Sequence, residues 1–140
     1  MVVMFVKERM SPRLITLHPE ASLAEARALL DRHRIRHLPV VEEGRLVGII
    51  TDRDIRSAAS GSSLEQVKVG EAMTRNVITV APEAQVQEAA KLLLTHRIGG
   101  LPVLKGGELV GIITETDLLK AFVEIVETAT LDRIAPDYHR

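Results

Sequence analysis

The sequence predicts an α/β fold built from two tandem copies of one β-α-β-β-α unit. The chain of 140 residues repeats itself without a gap at an offset of 63 positions, and 24 of the 45 positions from Met10 to Asp54 are identical to their partners. Within each copy, one segment shows apolar residues at helical spacing, and another shows short β-branched runs around a glycine turn. Two packed copies also bury surface better than one unit of about 60 residues could.

Each copy opens with a short helical turn that ends at Met10 or Met73, followed by a predicted strand at residues 14–17 or 77–80. A proline at position 19 or 82 ends this strand. The next predicted helix covers about residues 22–33 in the first copy, where Ser22 and Glu25 form a plausible capping box. Its apolar stripe consists of Leu23, Ala26, Leu29 and Leu30. The second copy repeats the stripe.

A β-hairpin follows each of these helices. In the first copy the predicted strands are residues 38–41 and 46–51, and Glu43-Gly44 forms the turn. In the second copy Gly106-Gly107 takes the place of that turn. A further helix opens at Thr51 or at Thr114, which completes the β-α-β-β-α order.

The domain boundaries follow from the repeat and from local composition. We expect the first repeat with an N-terminal segment at residues 1–60, a linker at 61–68, the second repeat at 69–128 and a tail at 129–140. Ser, Ala and Gly dominate the sequence around the start of the linker. The tail shows no clear period, so we expect it to be loose or to pair with a partner chain.

Composition excludes several classes of function. Aromatic residues make up 2% of the chain, so the core must be aliphatic, and the net charge of −1 gives no general attraction to nucleic acid or anionic membrane. The absence of cysteine excludes disulfides, cysteine zinc sites and thiol catalysis. The apolar start is too short for a membrane span or a signal peptide, so we expect a cytoplasmic protein without a membrane anchor.

A motif of chemical interest occurs once in each copy: Gly48-Ile-Ile-Thr51-x-x-Asp54 and Gly111-Ile-Ile-Thr114-x-x-Asp117. The threonine ends a strand and begins a helix, whose positive end favours phosphate or other anionic oxygens. The aspartate lies one turn further on, where its carboxylate can accept hydrogen bonds from two ribose hydroxyls. The same pattern also caps helices without any ligand. Capping and binding are compatible.

The doubled motif, the Leu-Pro-Val strand and the Met-(x)5-Thr opening resemble the signature of CBS-domain pairs, over about residues 6–120. The resemblance implies two repeats packed about a pseudo-twofold axis. It also implies a regulatory module, not an enzyme, that binds an adenosine-containing ligand: AMP, ADP, ATP or S-adenosylmethionine. The alternative is a ligand-independent module for dimerisation or protein interaction. The pattern is also similar to the CBS portion of bacterial acetoin-utilisation proteins, which continue into an ACT domain. The chain is therefore either a stand-alone module or part of a longer protein.

The resemblance implies two clefts, each joining the motif of one repeat to the first strand and hairpin start of the other. The first cleft would join Thr51 and Asp54 to Thr79, Ala81, Gly99 and Gly100. The second cleft would join Thr114 and Asp117 to Thr16, His18, Arg36 and His37. Gly99 and Gly100 leave room for a flat base, and Arg53 adds charge for a phosphate, so the first cleft is favoured for a phosphorylated ligand. In the second cleft, Arg36 and His37 either bind phosphate or fill the space.

The resemblance also implies a homodimer and an effector protein that the sequence does not identify. The candidate dimer surface consists of Ile55, Ala58, Leu118, Leu119, Phe122 and Ile125, unless these side chains pack within the chain.

His33 and His37 are four residues apart, but His37 falls on the hairpin strand, so we do not expect a metal site. No nucleophile–base arrangement indicates catalysis. The basic run at residues 32–37 lacks aromatic neighbours, so we do not expect nucleic-acid binding. No cofactor is required beyond the regulatory ligand.

Overall fold

The computed structural model describes residues 3–58, 61 and 63–138, and of residues 130–138 it describes the backbone alone. The elements in chain order are α1 (Val6–Arg9), α2 (Leu23–His33), β1 (His37–Glu42), β2 (Arg45–Thr51), α3 (Asp52–Ala58), α4 (Val69–Ala72), α5 (Val86–His96), β3 (Gly100–Lys105), β4 (Glu108–Thr114) and α6 (Glu115–Tyr138). The order of the first five elements recurs in the last five. The predicted α/β duplication is therefore confirmed.

Each repeat contains an antiparallel hairpin with the same register. β1 pairs with β2 and β3 pairs with β4, and each hairpin has one irregularity at the equivalent place. The turn residues Gly44 and Gly107 have φ angles of 76° and 84°, in the left-handed region that glycine adopts without strain. The strands predicted at residues 14–17 and 77–80 do not form, because only one residue of each segment pairs with the hairpin, Leu17 with Val40 and Val80 with Val103.

The cores of the two repeats are aliphatic, as the composition predicts. In the first repeat, α2, β1, β2 and α3 bury Leu23, Ala26, Leu30, Leu38, Val40, Ile50 and Ile55. In the second repeat, the equivalent elements bury Val80, Ala89, Leu93, Leu101, Val103 and Ile113. Ser22 caps α2 by accepting a hydrogen bond from the Glu25 amide at 3.1 Å, which is half of the predicted capping box.

The short helices α1 and α4 each pack in the repeat other than the one they precede. Val6 of α1 is fully buried in the core of the second repeat, and its amide donates to the Ala84 carbonyl at 2.8 Å. Val69 of α4 is fully buried in the core of the first repeat, and its amide donates to the Ala21 carbonyl at 2.7 Å. The packing thus crosses the boundaries drawn along the sequence, and each repeat completes the other.

The exchanged segments continue onto the edges of the two sheets. Ser11 pairs with Ile112 of β4, and Thr74 pairs with Ile49 of β2, each through two backbone hydrogen bonds of 2.8–3.0 Å. The paired backbone segments approach each other closely where β2 and β4 carry glycine. A Cβ placed on Gly111 would lie 2.8 Å from the Ser11 carbonyl oxygen, and one placed on Gly48 would lie 3.0 Å from the Thr74 carbonyl oxygen. Close approach of the paired backbone therefore explains why each motif has glycine at this position.

The last helix is longer than the sequence predicts. From residue 129 we expect a tail that is loose or pairs with a partner chain; the loose alternative is wrong, because α6 continues through Tyr138 and is about 36 Å long. The predicted linker is partly packed, since the carbonyls of Leu64 and Val67 accept hydrogen bonds from the start of α2. Within the described part of the chain, no helix is both long enough and apolar enough to cross a membrane.

Candidate functional site

The first Thr–Asp motif lies where β2 ends and α3 begins. The Thr51 amide and the Thr51 hydroxyl both donate to Oδ2 of Asp54 at 3.0 Å, and the Asp54 amide donates back to Thr51 Oγ1 at 3.2 Å. These bonds form a reciprocal cap at the helix start. Both residues are half-buried. The capping interpretation of the motif is therefore realised in this structure.

The second motif repeats this geometry at the start of α6. The Thr114 amide and hydroxyl donate to Oδ2 of Asp117 at 2.9 and 3.0 Å. Among the hydrogen bonds of the described residues, neither Asp54 nor Asp117 uses its Oδ1 atom. Each carboxylate thus has one oxygen held by the threonine and another that can accept hydrogen bonds from a ligand.

His37 brings the two hairpin starts together. Its ring lies against the backbone of Gly99 and Gly100, because a Cβ built on either glycine would lie 3.1–3.2 Å from the nearest ring atoms. This contact joins the hairpin starts of the two repeats, whereas the clefts predicted from the sequence join each Thr–Asp motif to the hairpin start of the other repeat. The space that the sequence assigns to a flat base above the glycines contains the His37 ring.

The electrostatic surroundings of His37 come from both motifs. Burial lowers the pKa of His37, the carboxylates of Glu115 and Asp54 act to raise it, and Arg36 acts to lower it further, with a lowered pKa as the result. Asp54 belongs to the first motif, and Glu115 follows Thr114 in the second. His37 therefore lies within electrostatic reach of carboxylates from both motifs, and desolvation is the largest cause of its lowered pKa.

The start of each motif helix is tied to the start of its own hairpin. The Asp52 amide donates to the Arg36 carbonyl at 3.4 Å, and the Glu115 amide donates to the Gly99 carbonyl at 3.0 Å. Arg36 and Arg53 expose their side chains. In both repeats, this backbone hydrogen bond fixes the position of the hairpin start relative to the motif.

The predicted residues from the first strands differ in exposure. Thr16 and His18 are exposed, Ala81 is exposed, and Thr79 is half-buried. His18 Nδ1 accepts a hydrogen bond from the Glu20 amide at 3.0 Å, and its Nε2 lies 3.6 Å from Glu42 Oε2. None of the described hydrogen bonds or ion pairs joins Thr16 or His18 to the second motif, or Thr79 or Ala81 to the first.

An ion-pair network beside the first motif is a feature that the sequence does not predict. Arg27 Nη1 lies 2.7 Å from Asp52 Oδ1, and Arg56 Nε lies 3.2 Å from Asp52 Oδ2. The hydrogen bond from Arg27 is the main cause that lowers the pKa of Asp52. No local pattern links residues 25 positions apart. The one sequence signal that could have drawn attention to Arg27 is the comparison of the repeats, because the second copy has Ala90 at the equivalent position.

Two surface cavities accompany the first repeat. One of about 410 Å³ lies beside the network and is lined by Arg27, Leu30, Asp31, Arg34, Ile35, Arg36 and Asp52. The other, of about 700 Å³, is lined by Pro19, Glu20, Glu42, Val47, Lys68, Gly70, Glu71, Met73 and Arg75. Arg36 alone among the predicted ligand residues lines either of these two cavities. In the described part of the chain, no three His, Cys, Asp or Glu side chains converge as a metal site would require.

The candidate dimer surface needs correction. Ile55 is 1% exposed because it belongs to the core of the first repeat, and Ala58 packs against the same core. Leu118 and Ile125 likewise pack against buried residues of the second half. Leu119 and Phe122 remain exposed, at 65% and 61%.

Comparison with known families identifies both repeats. The family model described as CBS domain matches residues 6–61 and again residues 69–124. A CBS domain-containing protein of Dictyostelium discoideum is 39% identical over 135 residues, which cover 87% of this chain and 93% of that protein. The inosine-5'-monophosphate dehydrogenase of Korarchaeum cryptofilum is 44% identical over 106 residues. The match covers 75% of this chain but only 21% of that enzyme.

Solved structures show the same fold. The CBS domain pair of protein MJ0100, in complex with 5'-methylthioadenosine and S-adenosyl-L-methionine, is 38% identical with a TM-score of 0.81. The match covers 88% of this chain and 98% of that one. A putative acetoin utilization protein, AcuB from Vibrio cholerae, is 33% identical with a TM-score of 0.81, and the match covers 92% of this chain and 97% of that one.

Proposed function

Because the chain belongs to the CBS-domain family, we propose that it is a regulatory module that binds an adenosine-containing ligand, such as AMP, ADP, ATP or S-adenosylmethionine, between its repeats. The observation that carries the proposal is the doubled Thr–Asp motif. In each copy the threonine holds Oδ2 of the aspartate, and Oδ1 is available. A fixed carboxylate with one available oxygen suits a ribose diol, because both hydroxyls of the diol are donors.

The choice of adenosine compounds is supported by the structural neighbours. The CBS pair of MJ0100, which matches 88% of this chain, was solved with two such compounds, 5'-methylthioadenosine and S-adenosyl-L-methionine. The two compounds share the adenosine part and differ at the 5' position. We therefore propose that the module recognises the adenosine part. The charges around each cleft then determine which 5' group is preferred.

We assign Thr51, Arg53 and Asp54 to the first cleft and Thr114 and Asp117 to the second, each with the residues of the opposite repeat that the sequence predicts. His37 separates the two clefts. Because its ring lies against the backbone of Gly99, a base in the first cleft has to stack on His37 or displace it. Ligand binding in the first cleft thus involves His37, either as a stacking partner or as a side chain that moves.

The output of the module follows from α6. This helix begins at the second motif and extends to Tyr138. A ligand that binds one position of the helix better than another shifts the population of the two states by that difference in affinity. We propose that a cytoplasmic effector or a second copy of the chain reads this shift, and that the module itself catalyses no reaction.

Calorimetric titration with 5'-methylthioadenosine, S-adenosylmethionine, AMP and ATP tests the proposal. Asp54→Asn and Asp117→Asn keep an oxygen for the threonine cap but replace the other oxygen by a donor. The variant of the occupied cleft should lose about 1.5–3 kcal/mol, or about 10- to 100-fold in affinity. Asp31→Asn, which changes an exposed aspartate outside both clefts, is the matched control and should bind as the wild type does.

Two outcomes would contradict the proposal. If none of the four compounds binds below millimolar concentration, the module is a ligand-independent interaction domain. If a compound binds but both aspartate variants keep the wild-type affinity, the ligand lies outside the two clefts.

A further inference from the structure

His37 contacts both of the parts that the first cleft would join. On one side it pairs with Thr51, the threonine of the first motif, in the register of β1 and β2. On the other side its ring packs against Gly99 and Gly100 of the opposite repeat. The proposed first cleft is the space between that motif and those two glycines. The His37 side chain therefore reaches across the first cleft.

The face of the His37 ring covers the two glycines. Each of the five ring atoms lies 3.1–3.2 Å from the position of a Cβ built on Gly99 or on Gly100. Three ring atoms are equally distant from the Cβ position of Gly100, so the ring turns its face, not its edge, to the backbone. A flat base needs about 3.5–4.0 Å to the atoms on each of its faces. While the ring stays in place, no base can therefore lie directly on these glycines.

Packing and nearby charge hold the ring in this position. Within the described part of the chain, the His37 side chain forms no hydrogen bond and no ion pair. The carboxylates of Glu115 and Asp54 act on the ring through their charge alone. A change of side-chain rotamer can therefore move the ring off the glycines without breaking a hydrogen bond.

The ring has no counterpart in the second cleft. At the offset of 63 positions, Gly100 is the equivalent of His37, and Arg36 is the equivalent of Gly99. The residue that would cover the backbone of Arg36 and His37 is thus Gly100, which has no side chain. The two clefts therefore differ by one aromatic ring, placed where the base of a ligand would lie.

We propose that His37 determines which cleft takes the ligand, because its ring occupies the base position of the first cleft and competes with the adenine. This inference rests on the proposed function, since it concerns the same two clefts. The apparent affinity of a site falls in proportion to the fraction of molecules in the competent state, here the state with the ring displaced. Minor states of this kind are populated at about 0.1–10%, so the ring should weaken the first cleft by about tenfold or more.

Calorimetric titration of His37→Ala with 5'-methylthioadenosine, S-adenosylmethionine, AMP and ATP tests this competition. We expect the variant to bind one or more of the four compounds about tenfold or more tightly than the wild type does. Adding Asp54→Asn should remove the gain, because Asp54 belongs to the first cleft. His96→Ala, which removes an exposed imidazole outside both clefts, is the matched control and should bind as the wild type does. An unchanged or lower affinity of His37→Ala overturns the inference, and a lower one indicates that the base stacks on the ring.

His37→Phe separates the space that the ring fills from any other role of the histidine. Phenylalanine keeps a flat ring over the glycines, so this variant should not show the gain of His37→Ala. Nuclear magnetic resonance provides a direct readout in the wild type. Contacts between the His37 ring protons and the α-protons of Gly99 and Gly100 should be present in the free protein and lost when the first cleft is filled. A gain in His37→Phe equal to that in His37→Ala, or contacts that persist in the filled cleft, would contradict the competition.

The outcomes distinguish this inference from the proposed function. If none of the four compounds binds the wild type or His37→Ala, the proposed function fails and this inference fails with it. If a compound binds and Asp54→Asn weakens the binding, but His37→Ala does not strengthen it, the proposed function stands and this inference alone is wrong.

Discussion

The first and second repeats agree at the positions that hold the fold together and differ around the Thr–Asp motifs and on the helix surfaces. Val6 and Val69 are equivalent and fully buried, and Gly48 and Gly111 are equivalent sites of close backbone approach. By contrast, His37 stands where the second repeat has Gly100, and Asp31 and Arg56 stand where the second repeat has Leu94 and Leu119. Duplication has preserved one frame while its surfaces have diverged.

The reason for this division is the exchange of α1 and α4. Because each repeat supplies a helix to the core of the other, a change in one exchanged segment alters the stability of both halves. Exposed side chains carry no such reciprocal constraint. They can change in one copy without disturbing the other, which leaves room for a charged residue in one repeat and an apolar residue in the other.

The largest effect that this comparison predicts is at the two motif glycines. Gly48→Val and Gly111→Val would each force side-chain atoms into a backbone carbonyl, and we expect each to lower the free energy of unfolding by about 2–4 kcal/mol. Urea denaturation measures this. Gly44→Asn is the control, because no atom lies within 4 Å of a Cβ there and asparagine tolerates its positive φ. A large effect at only one of the two glycines would show that the repeats are not equivalent as scaffolds.

The elements that local patterns specify could be predicted from the sequence. The turns at Gly44 and Gly107, the hairpins and the helix stripes depend on spacing within a few residues, and the structure confirms them. The exchange of α1 and α4 could not be predicted, because the buried face of a four-residue helix does not tell which of two similar cores receives it. The end of α6 was missed for the related reason that its last turns carry no apolar period.

The candidate site was predictable to the level of its motif. The pattern Thr51-x-x-Asp54 predicts that the two side chains meet, and their hydrogen bonds show that they do. It does not tell whether the partner of His37 is a ligand or the backbone of Gly99, because that depends on how two hairpins approach each other. The pairing of Arg27 with Asp52 is equally long-range. Contacts of this kind depend on the three-dimensional arrangement of the elements, which local sequence patterns do not specify.

A smaller effect is expected from the exchanged valines. Val6→Ala and Val69→Ala each remove two methyl groups from a fully buried position, so each should cost about 1–3 kcal/mol. Because each valine lies in the core of the opposite repeat, the whole chain should still unfold in one transition, observed equally by circular dichroism and calorimetry. Val3→Ala, at a position 46% exposed, is the control. Two separate transitions in either variant would contradict the interdependence of the repeats.

The smallest effect concerns the pH dependence that His37 gives to the first repeat. Since the folded state lowers the pKa of His37 below its ordinary value of 6.5, the unfolded chain binds more protons in the window just below pH 6.5. The corresponding stability is present above that pH and is lost as the pH falls from 6.5 through the folded pKa. Urea denaturation of the wild type should therefore show a free energy of unfolding that decreases across this window.

His37→Gln should flatten that decrease, because glutamine can occupy the same space without titrating. His18→Gln, at an exposed histidine, should keep the wild-type slope and serves as the control. If both variants keep the slope, the carboxylates of Asp54 and Glu115 offset the burial of His37 and the histidine is no source of pH dependence. If only His37→Gln flattens it, desolvation against Gly99 and Gly100 outweighs those carboxylates. The second repeat, with glycine at this position, then lacks a titration that the first repeat has.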